Sequence, residues 1–228
     1  MPLTPLQISA QSEQELLTIC EQPLESLEEA YSRLRRAEDY IISPKALRSA
    51  LEHPLVPGVA LVLAKQLVAL QSYVQESGKT PAEIIGSLSL GIERKTWPEP
   101  TKKKWRDIAP LFEKFLAVSH IIVTTKALEL SFDFEHLLTS INILTDIRPV
   151  YSATRNEIAG GIICNRLRIK FQDQGSFQSL SLSIDKDEIE KLRVVCGDAL
   201  KKIELAAEML NKKAKLQSFV TGEEYDGI

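Results

Sequence analysis

The feature that most constrains the fold is a strict alternation of apolar and polar residues on both sides of a short turn segment. The apolar positions are Leu167, Ile169 and Phe171 before the turn, and Leu180, Leu182 and Ile184 after it. A period of two residues is typical of a β-strand with one buried face. Residues 173–176, Asp-Gln-Gly-Ser, supply the turn. The sequence therefore predicts an antiparallel hairpin with one apolar face.

The polar positions of the first predicted strand are all basic: Arg166, Arg168 and Lys170. In a sheet buried on one side, the simplest interpretation of these residues is a solvent-facing surface. The alternative is a docking stripe for an acidic partner, since the fork of an arginine side chain suits carboxylates. We therefore take the three cations as candidate partner-binding residues.

A long amphipathic helix is predicted after the hairpin. Asp185 and Glu188 stand three residues apart, which is the pattern of a capping box at a helix start. Apolar residues then recur at alternating steps of three and four, the spacing of a helix packed lengthwise on another surface. The residues of this seam are Ile189, Leu192, Cys196, Ala199, Ile203, Ala206 and Leu210.

The predicted helix is too long for its own sheet. If it continues to residue 216, it spans about 45 Å, whereas a three-stranded sheet is only about 15 Å across. The distal half of the helix therefore needs cover from the helical domain or from another subunit. We expect an oligomer interface formed by Leu180, Leu182, Ile189, Leu192, Ile203 and Leu210.

The chain before residue 132 has a helical pattern throughout, with prolines and glycines between segments, and predicts five to seven helices. The clearest covers 58–76, and Thr80 with Glu83 predicts a capped start for the next one. The period shifts toward two after Asp133, although residues 140–150 fit either a first strand or a continued helix. Gly160 and Gly161 predict a bend or bulge before the hairpin.

These patterns predict an α+β fold. An all-helical N-terminal domain, 1–135, is followed by a small antiparallel sheet of about three strands and one long C-terminal helix, 136–216. Residues 217–228 form a polar, flexible tail.

Composition narrows the class of protein. The chain has 44% apolar and 26% charged residues and a net charge of −3, which is ordinary for a globular protein and argues against a generally basic nucleic-acid binder. The longest apolar stretch, 56–70, falls short of the roughly 20 residues of a membrane span. With no secretory signal and three cysteines without paired spacing, we expect a cytoplasmic protein with reduced, buried thiols.

Motifs of catalysis and of metal or cofactor binding do not occur in the sequence. The three histidines have no second ligand at metal-binding spacing, and no phosphate-loop or nucleophile-elbow pattern accompanies the glycines and serines. We therefore expect a non-enzymatic protein without cofactors. An enzyme with an unrecognised site between the two domains stays open, because catalytic groups meet only in space.

The strongest charge feature is residues 94–106, where six cations and two tryptophans lie close together. Cations and stacking aromatics are the elements of a nucleic-acid site. The residues of that alternative are Lys102, Lys103, Lys104, Trp105 and Arg106. The other interpretation is a solvated loop and helix start that the two indoles anchor.

Four segments together resemble the COMM-domain family of adaptor proteins: 144–148 (LTDIR), 166–171 (RLRIKF), 180–184 (LSLSI) and 188–192 (EIEKL). The similarity covers the C-terminal third of the chain. It implies a dimer or larger assembly made through the sheet and the long helix, which acts as a protein–protein interaction scaffold. The expected partners are a second copy and other, unidentified proteins, and the resemblance implies no catalytic residue.

Overall fold

A computed structural model describes residues 4–133, 136–173 and 175–221 of the 228-residue chain. The fold is α+β, as predicted, with helices first and then a three-stranded antiparallel sheet and a long helix. The chain divides into a helical unit, which ends at residue 131 and includes 215–221, and a second unit, 132–214. Most of the predicted tail, 222–228, lies outside the described residues.

The helical unit contains seven α-helices among its described residues, the upper limit of the predicted number. They are α1 (Ala10–Cys20), α2 (Leu24–Arg36), α3 (Pro44–Leu51), α4 (Pro57–Ser77), α5 (Pro81–Glu93), α6 (Glu99–Leu116) and α7 (Ser119–Phe132, whose last residue falls in the second unit).

Local sequence signals explain where these helices start and stop. Ser9, Ser43 and Thr80 each accept a hydrogen bond from a first-turn amide of the helix that follows. The capping box predicted at Thr80 is confirmed, because Glu83 also accepts from the Thr80 backbone. Gly78 ends α4 in the left-handed region at φ 65°, which glycine adopts without strain.

The core of the helical unit forms around α4, which supplies buried Leu63 and Leu67. Trp105, Phe112 and Phe115 of α6 are the largest fully buried side chains among the described residues and belong to this core. Of the single helices in the described ranges, α4 alone is long and apolar enough to cross a membrane. Half of the 18-residue stretch of α4 that meets this test is buried in the molecule. The bent pair α6 and α7 passes the same test of length and composition when taken together.

An extended segment before α1 packs against α5. The Leu6 amide donates to the Ser87 carbonyl oxygen at 2.9 Å. Gly91, one turn further along α5, faces this segment so closely that a β-carbon there would collide with the Leu6 carbonyl oxygen. The missing side chain at position 91 therefore lets the segment lie on the helix.

The second unit begins with three strands in the order β1-β2-β3: β1 (His136–Tyr151), β2 (Ile158–Asp173) and β3 (Ser176–Ile184). Residues 140–150 are thus strand and not a continued helix. The predicted hairpin is β2 and β3, with Leu167 opposite Leu182 and Ile169 opposite Leu180. A register shift skips Ala159, next to the predicted bend at Gly160 and Gly161.

A long helix, α8 (Lys186–Glu208), follows the sheet and continues into a π-helical turn, Met209–Lys213. Asp185 and Glu188 form the predicted capping box, with both hydrogen bonds at 2.8 Å. The helical backbone ends three residues earlier than predicted and is about 42 Å long at 1.5 Å per residue.

A candidate interaction surface on the second unit

The second unit buries almost none of its apolar side chains. Among the described residues, Leu167 is its only buried apolar residue, whereas all the others belong to the helical unit. Conversely, most of the exposed large apolar side chains belong to the second unit. A layered fold is stabilised by an apolar face packed against another element, and such packing is missing between the described elements of this unit.

One face of the sheet is apolar across all three strands. Cross-strand partners share a face, so the register places Ile143, Leu167 and Leu182 side by side. The next row is Ile141, Ile169 and Leu180. Leu182 is 42% exposed and Leu180 is 46% exposed, so this apolar face is open. Both predicted interface residues of the sheet lie on it.

The apolar seam of α8 is open as well. Leu192 is 39% exposed, Ile203 is 42% exposed and Leu210 is 36% exposed. Neither α8 nor the π-helical turn contains a buried residue. A helix packed lengthwise on the sheet would bury such a stripe, so α8 does not cover the apolar face of its own unit.

Of the predicted interface residues of α8, Ile189 lies at a groove that the strands also line. Ile189 lines an open groove of about 760 Å³ together with Ile163 of β2 and Ile184 of β3. Asp185 and Glu188 stand at the same groove and are occupied with capping α8. The remaining predicted interface residues of the helix, Leu192, Ile203 and Leu210, do not line this groove.

Sequence analysis missed the part of this surface that β1 supplies. Ile141, Ile143 and Ile147 extend the apolar face and are all exposed. Their alternation was present in the sequence, but the neighbouring leucines also fitted a helix. Val195 and Leu200 of α8 are exposed beside the seam and widen its apolar surface.

The opposite face of the sheet is polar and basic at its centre. Arg166, Arg168 and Lys170 form a column on β2, and all three side chains are exposed. The register flanks this column with Ser183, Ser181 and Ser179 of β3 and with Leu144, Asn142 and Ser140 of β1. None of the three cations forms an ion pair with a described residue.

The tryptophans of the basic segment 94–106 lie inside the helical unit. Trp105 is 1% exposed and its Nε1 donates to Ser89 Oγ at 2.9 Å. Trp97 is also buried and donates to Glu13. Since both indole faces are packed in the core, neither can stack on a nucleotide base in this fold.

Several cations of the same segment are paired. Arg106 bridges Glu93 and Glu99 at 2.9 Å each, and these hydrogen bonds raise the pKa of the guanidinium above its ordinary range. Lys102 donates to the Glu93 carbonyl oxygen. Lys103 and Lys104 are exposed and have no ion pair among the described residues. The segment thus presents three cations without an ion pair among the described residues, Arg94, Lys103 and Lys104, and no stacking aromatic.

Groups that could carry metal or redox chemistry are dispersed. No cluster of three His, Cys, Asp or Glu side chains occurs in the described ranges. Burial raises the pKa of the Cys20 thiol to about 11, so it stays protonated. Cys164 is half-buried and Cys196 is exposed, which corrects the expectation that all three thiols are buried. Cys196 lies on the exposed apolar seam of α8.

A second groove, of about 450 Å³, lies in the helical unit between α1, α4 and α7. Its carboxylates are bound by neighbouring side chains: Gln66 donates to Glu15 at 2.5 Å, and Ser72 donates to Glu129 at 2.9 Å. These hydrogen bonds join α4 to the helices on either side of it. The polar groups of the groove therefore contribute to the packing of three helices.

No protein family matches the chain, and no curated protein is similar to it.

Proposed function

We propose that the chain is a non-enzymatic scaffold for protein–protein interaction that assembles with a second copy through its C-terminal sheet and helix. The observation that carries this proposal is the absence of a core in the second unit, where Leu167 is the only buried apolar residue among those described. A unit of this kind needs a partner to bury its apolar surface. The resemblance to COMM-domain adaptors supports the same mode of assembly.

A second copy is the partner that this unit fits best. The second unit exposes an apolar sheet face that α8 does not cover, and its amphipathic helix exposes the seam that would pack on such a face. Two copies related by a two-fold axis can exchange helices, so that α8 of each covers the sheet of the other. In such an isologous dimer, the sheet face and the α8 seam of both copies are buried, and no further copy can add to either surface.

The length of α8 suits exchange between chains. The helix is about 42 Å long, and the 16-residue strands β1 and β2 are each about 50 Å long. The overhang expected from the width of the sheet is therefore wrong, and one helix is long enough to cover most of a sheet face. In a two-fold pair, the distal seam residues Ile203 and Leu210 of one copy meet the apolar face of the other.

We also propose that the protein acts in the cytoplasm, where its three unpaired thiols stay reduced.

Light scattering on the full chain at tens of micromolar tests the proposal. We expect a mass of at least twice the chain mass of 25.5 kDa. Leu182→Asp on the sheet and Ile203→Asp on the helix are each expected to shift the protein toward monomer, because each places a charge in an apolar contact. Leu90→Asp is the matched control, since Leu90 is 40% exposed in α5 of the helical unit.

Two results would contradict the proposal. A strict monomer at these concentrations would show that the apolar surfaces are not joined between copies. An equal effect of all three substitutions would show that assembly, if it occurs, does not depend on the sheet face and the helix seam in particular.

A further inference from the structure

The basic column of β2 combines regular spacing with uncharged flanking positions. Arg166, Arg168 and Lys170 project from one face at every second residue, about 6.6 Å apart. Like charges at this spacing repel one another, and opposite charges on the adjacent strands would offset the repulsion. The flanking positions of β1 and β3 instead hold hydroxyl, amide and leucine side chains.

Two cations of the helical unit show a contrasting arrangement. Arg106 reaches two carboxylates, and Lys95 lies 2.6 Å from Glu13. These two are neutralised within the chain, whereas the three of β2 are not paired with any described residue. Along β1, the first carboxylate on this face, Asp146, lies opposite Cys164 and outside the three rows of the column.

We propose that this face binds an acidic segment of another protein in an extended conformation, with carboxylates at every second residue. This inference names the partner class of the proposed scaffold and rests on that function. Alternate side chains of an extended peptide are spaced like the cations of β2, so three carboxylates can meet three cations in register. The hydroxyls of Ser179, Ser181 and Ser183 supply further donors along one side.

The end of the column adds an apolar contact. Phe177 lies opposite Gln172, one step beyond Lys170 on the same face, and is 77% exposed. An apolar residue that follows the acidic positions of the bound segment packs on this ring. A single aromatic at one end cannot stack successive bases, so the face suits a peptide better than a nucleic acid.

The basic face and the proposed assembly surface are on opposite sides of the sheet. Leu180 and Leu182 alternate with Ser179, Ser181 and Ser183 along β3. A pair of copies joined through the apolar faces therefore keeps both basic faces open to solvent, and each pair binds two acidic segments.

Fluorescence anisotropy with a labelled, alternating Glu-Thr octapeptide tests the inference on the full chain. We expect salt-sensitive binding that is stronger than binding of a block peptide with the same composition. The combined variant Arg166→Gln, Arg168→Gln and Lys170→Gln should weaken the alternating peptide by at least about tenfold, since three charge-assisted contacts are lost.

The matched control replaces Arg33, Arg35 and Arg36, three exposed arginines at the end of α2, by glutamine. It removes the same charge from the helical unit and should leave peptide affinity unchanged. Equal loss in both variants, equal affinity for the two peptides, or no binding at all would overturn the inference. Preference for an oligouridine probe of equal charge would also overturn it and would favour nucleic acid.

Light scattering on the same variants separates this inference from the proposed function. The Arg166/Arg168/Lys170 variant should keep the mass of the wild-type protein, because the basic face lies outside the assembly surface. A drop in mass would assign the cations to assembly and would overturn the inference. If the wild-type protein is a monomer and binds the alternating peptide, the result contradicts self-assembly and supports the docking face.

Discussion

The indole Nε1 of Trp97 donates a hydrogen bond to Glu13 Oε1 at 2.8 Å, across 84 residues of sequence. Lys95 binds the other oxygen of the same carboxylate at 2.6 Å and also donates to the Ile8 carbonyl oxygen. One side chain of α1 thus fixes the loop between α5 and α6. Lys95 and Trp97 of the basic segment therefore help to hold the helical unit together. Their contacts with Glu13 neutralise one cation of the segment and bury one of its indoles.

The Glu13 contacts predict a pH-dependent contribution to stability. Hydrogen bonds from Lys95 and then Trp97 lower the pKa of this carboxyl below its ordinary value of 4.5. The contribution is therefore present above 4.5 and is lost as the pH falls through the lowered pKa. Thermal unfolding should show Glu13→Gln to be less stable than wild type at neutral pH, with a difference that shrinks in acid.

Glu28→Gln is the control for this measurement, because Glu28 is exposed on α2 and has no ion pair among the described residues. Its unfolding curve should follow wild type across the same pH range. A pH-independent difference for Glu13→Gln would show that lost packing, and not the charge of the carboxylate, causes the destabilisation.

Gly91→Ala should destabilise the helical unit. The new β-carbon would meet the Leu6 carbonyl oxygen, and the hydrogen bond from the Leu6 amide to Ser87 restrains that backbone. Overpacking costs about 1–3 kcal/mol, against which better helix propensity returns up to about 1 kcal/mol. Denaturant unfolding measures the net loss. Gly58→Ala in α4 has open space around it and should be neutral or slightly stabilising.

Trp105 and its neighbouring lysines should behave in opposite ways. Trp105→Ala removes a core side chain and a hydrogen bond to Ser89, at a cost of about 3–5 kcal/mol. Lys103→Gln with Lys104→Gln alters exposed residues and should change stability by less than about 0.5 kcal/mol. Chemical denaturation of the variants checks both values. A stable Trp105→Ala protein would contradict the buried position of the indole.

Calorimetry at several protein concentrations should resolve two kinds of unfolding transition. The transition of the second unit should move to higher temperature as the concentration rises, because assembly stabilises it by about 1.4 kcal/mol per tenfold change. The transition of the helical unit should stay in place, since it has its own buried core. Two concentration-independent transitions would speak against assembly through the second unit.

Elements with local signals were predictable from the sequence. The β2–β3 hairpin follows from strict alternation, and the starts of α5 and α8 follow from capping residues at Thr80 and Asp185. Each of these signals depends on the order of neighbouring residues and on side-chain contacts that span only a few positions. The class of the fold could be predicted for the same reason.

Elements with weak local signals could not be assigned. Residues 140–150 carry leucines and isoleucines at spacings that fit both a strand and a helix, and pairing with β2 selects the strand. Trp105 has the same neighbours in sequence whether it stacks on a base or fills a core. Its burial depends on contacts such as that with Phe112, which lies seven residues further along α6.

The sequence alone determined the periods, the caps and the charges of this protein, because these depend on the order of neighbouring residues. It placed Leu180 and Leu182 on one side of a strand and Ser181 on the other. Only the tertiary structure decided which apolar stripes find a partner within their own unit. Those of the helical unit close on a shared core, whereas the sheet face and the α8 seam stay open, since burial depends on contacts between residues far apart in sequence.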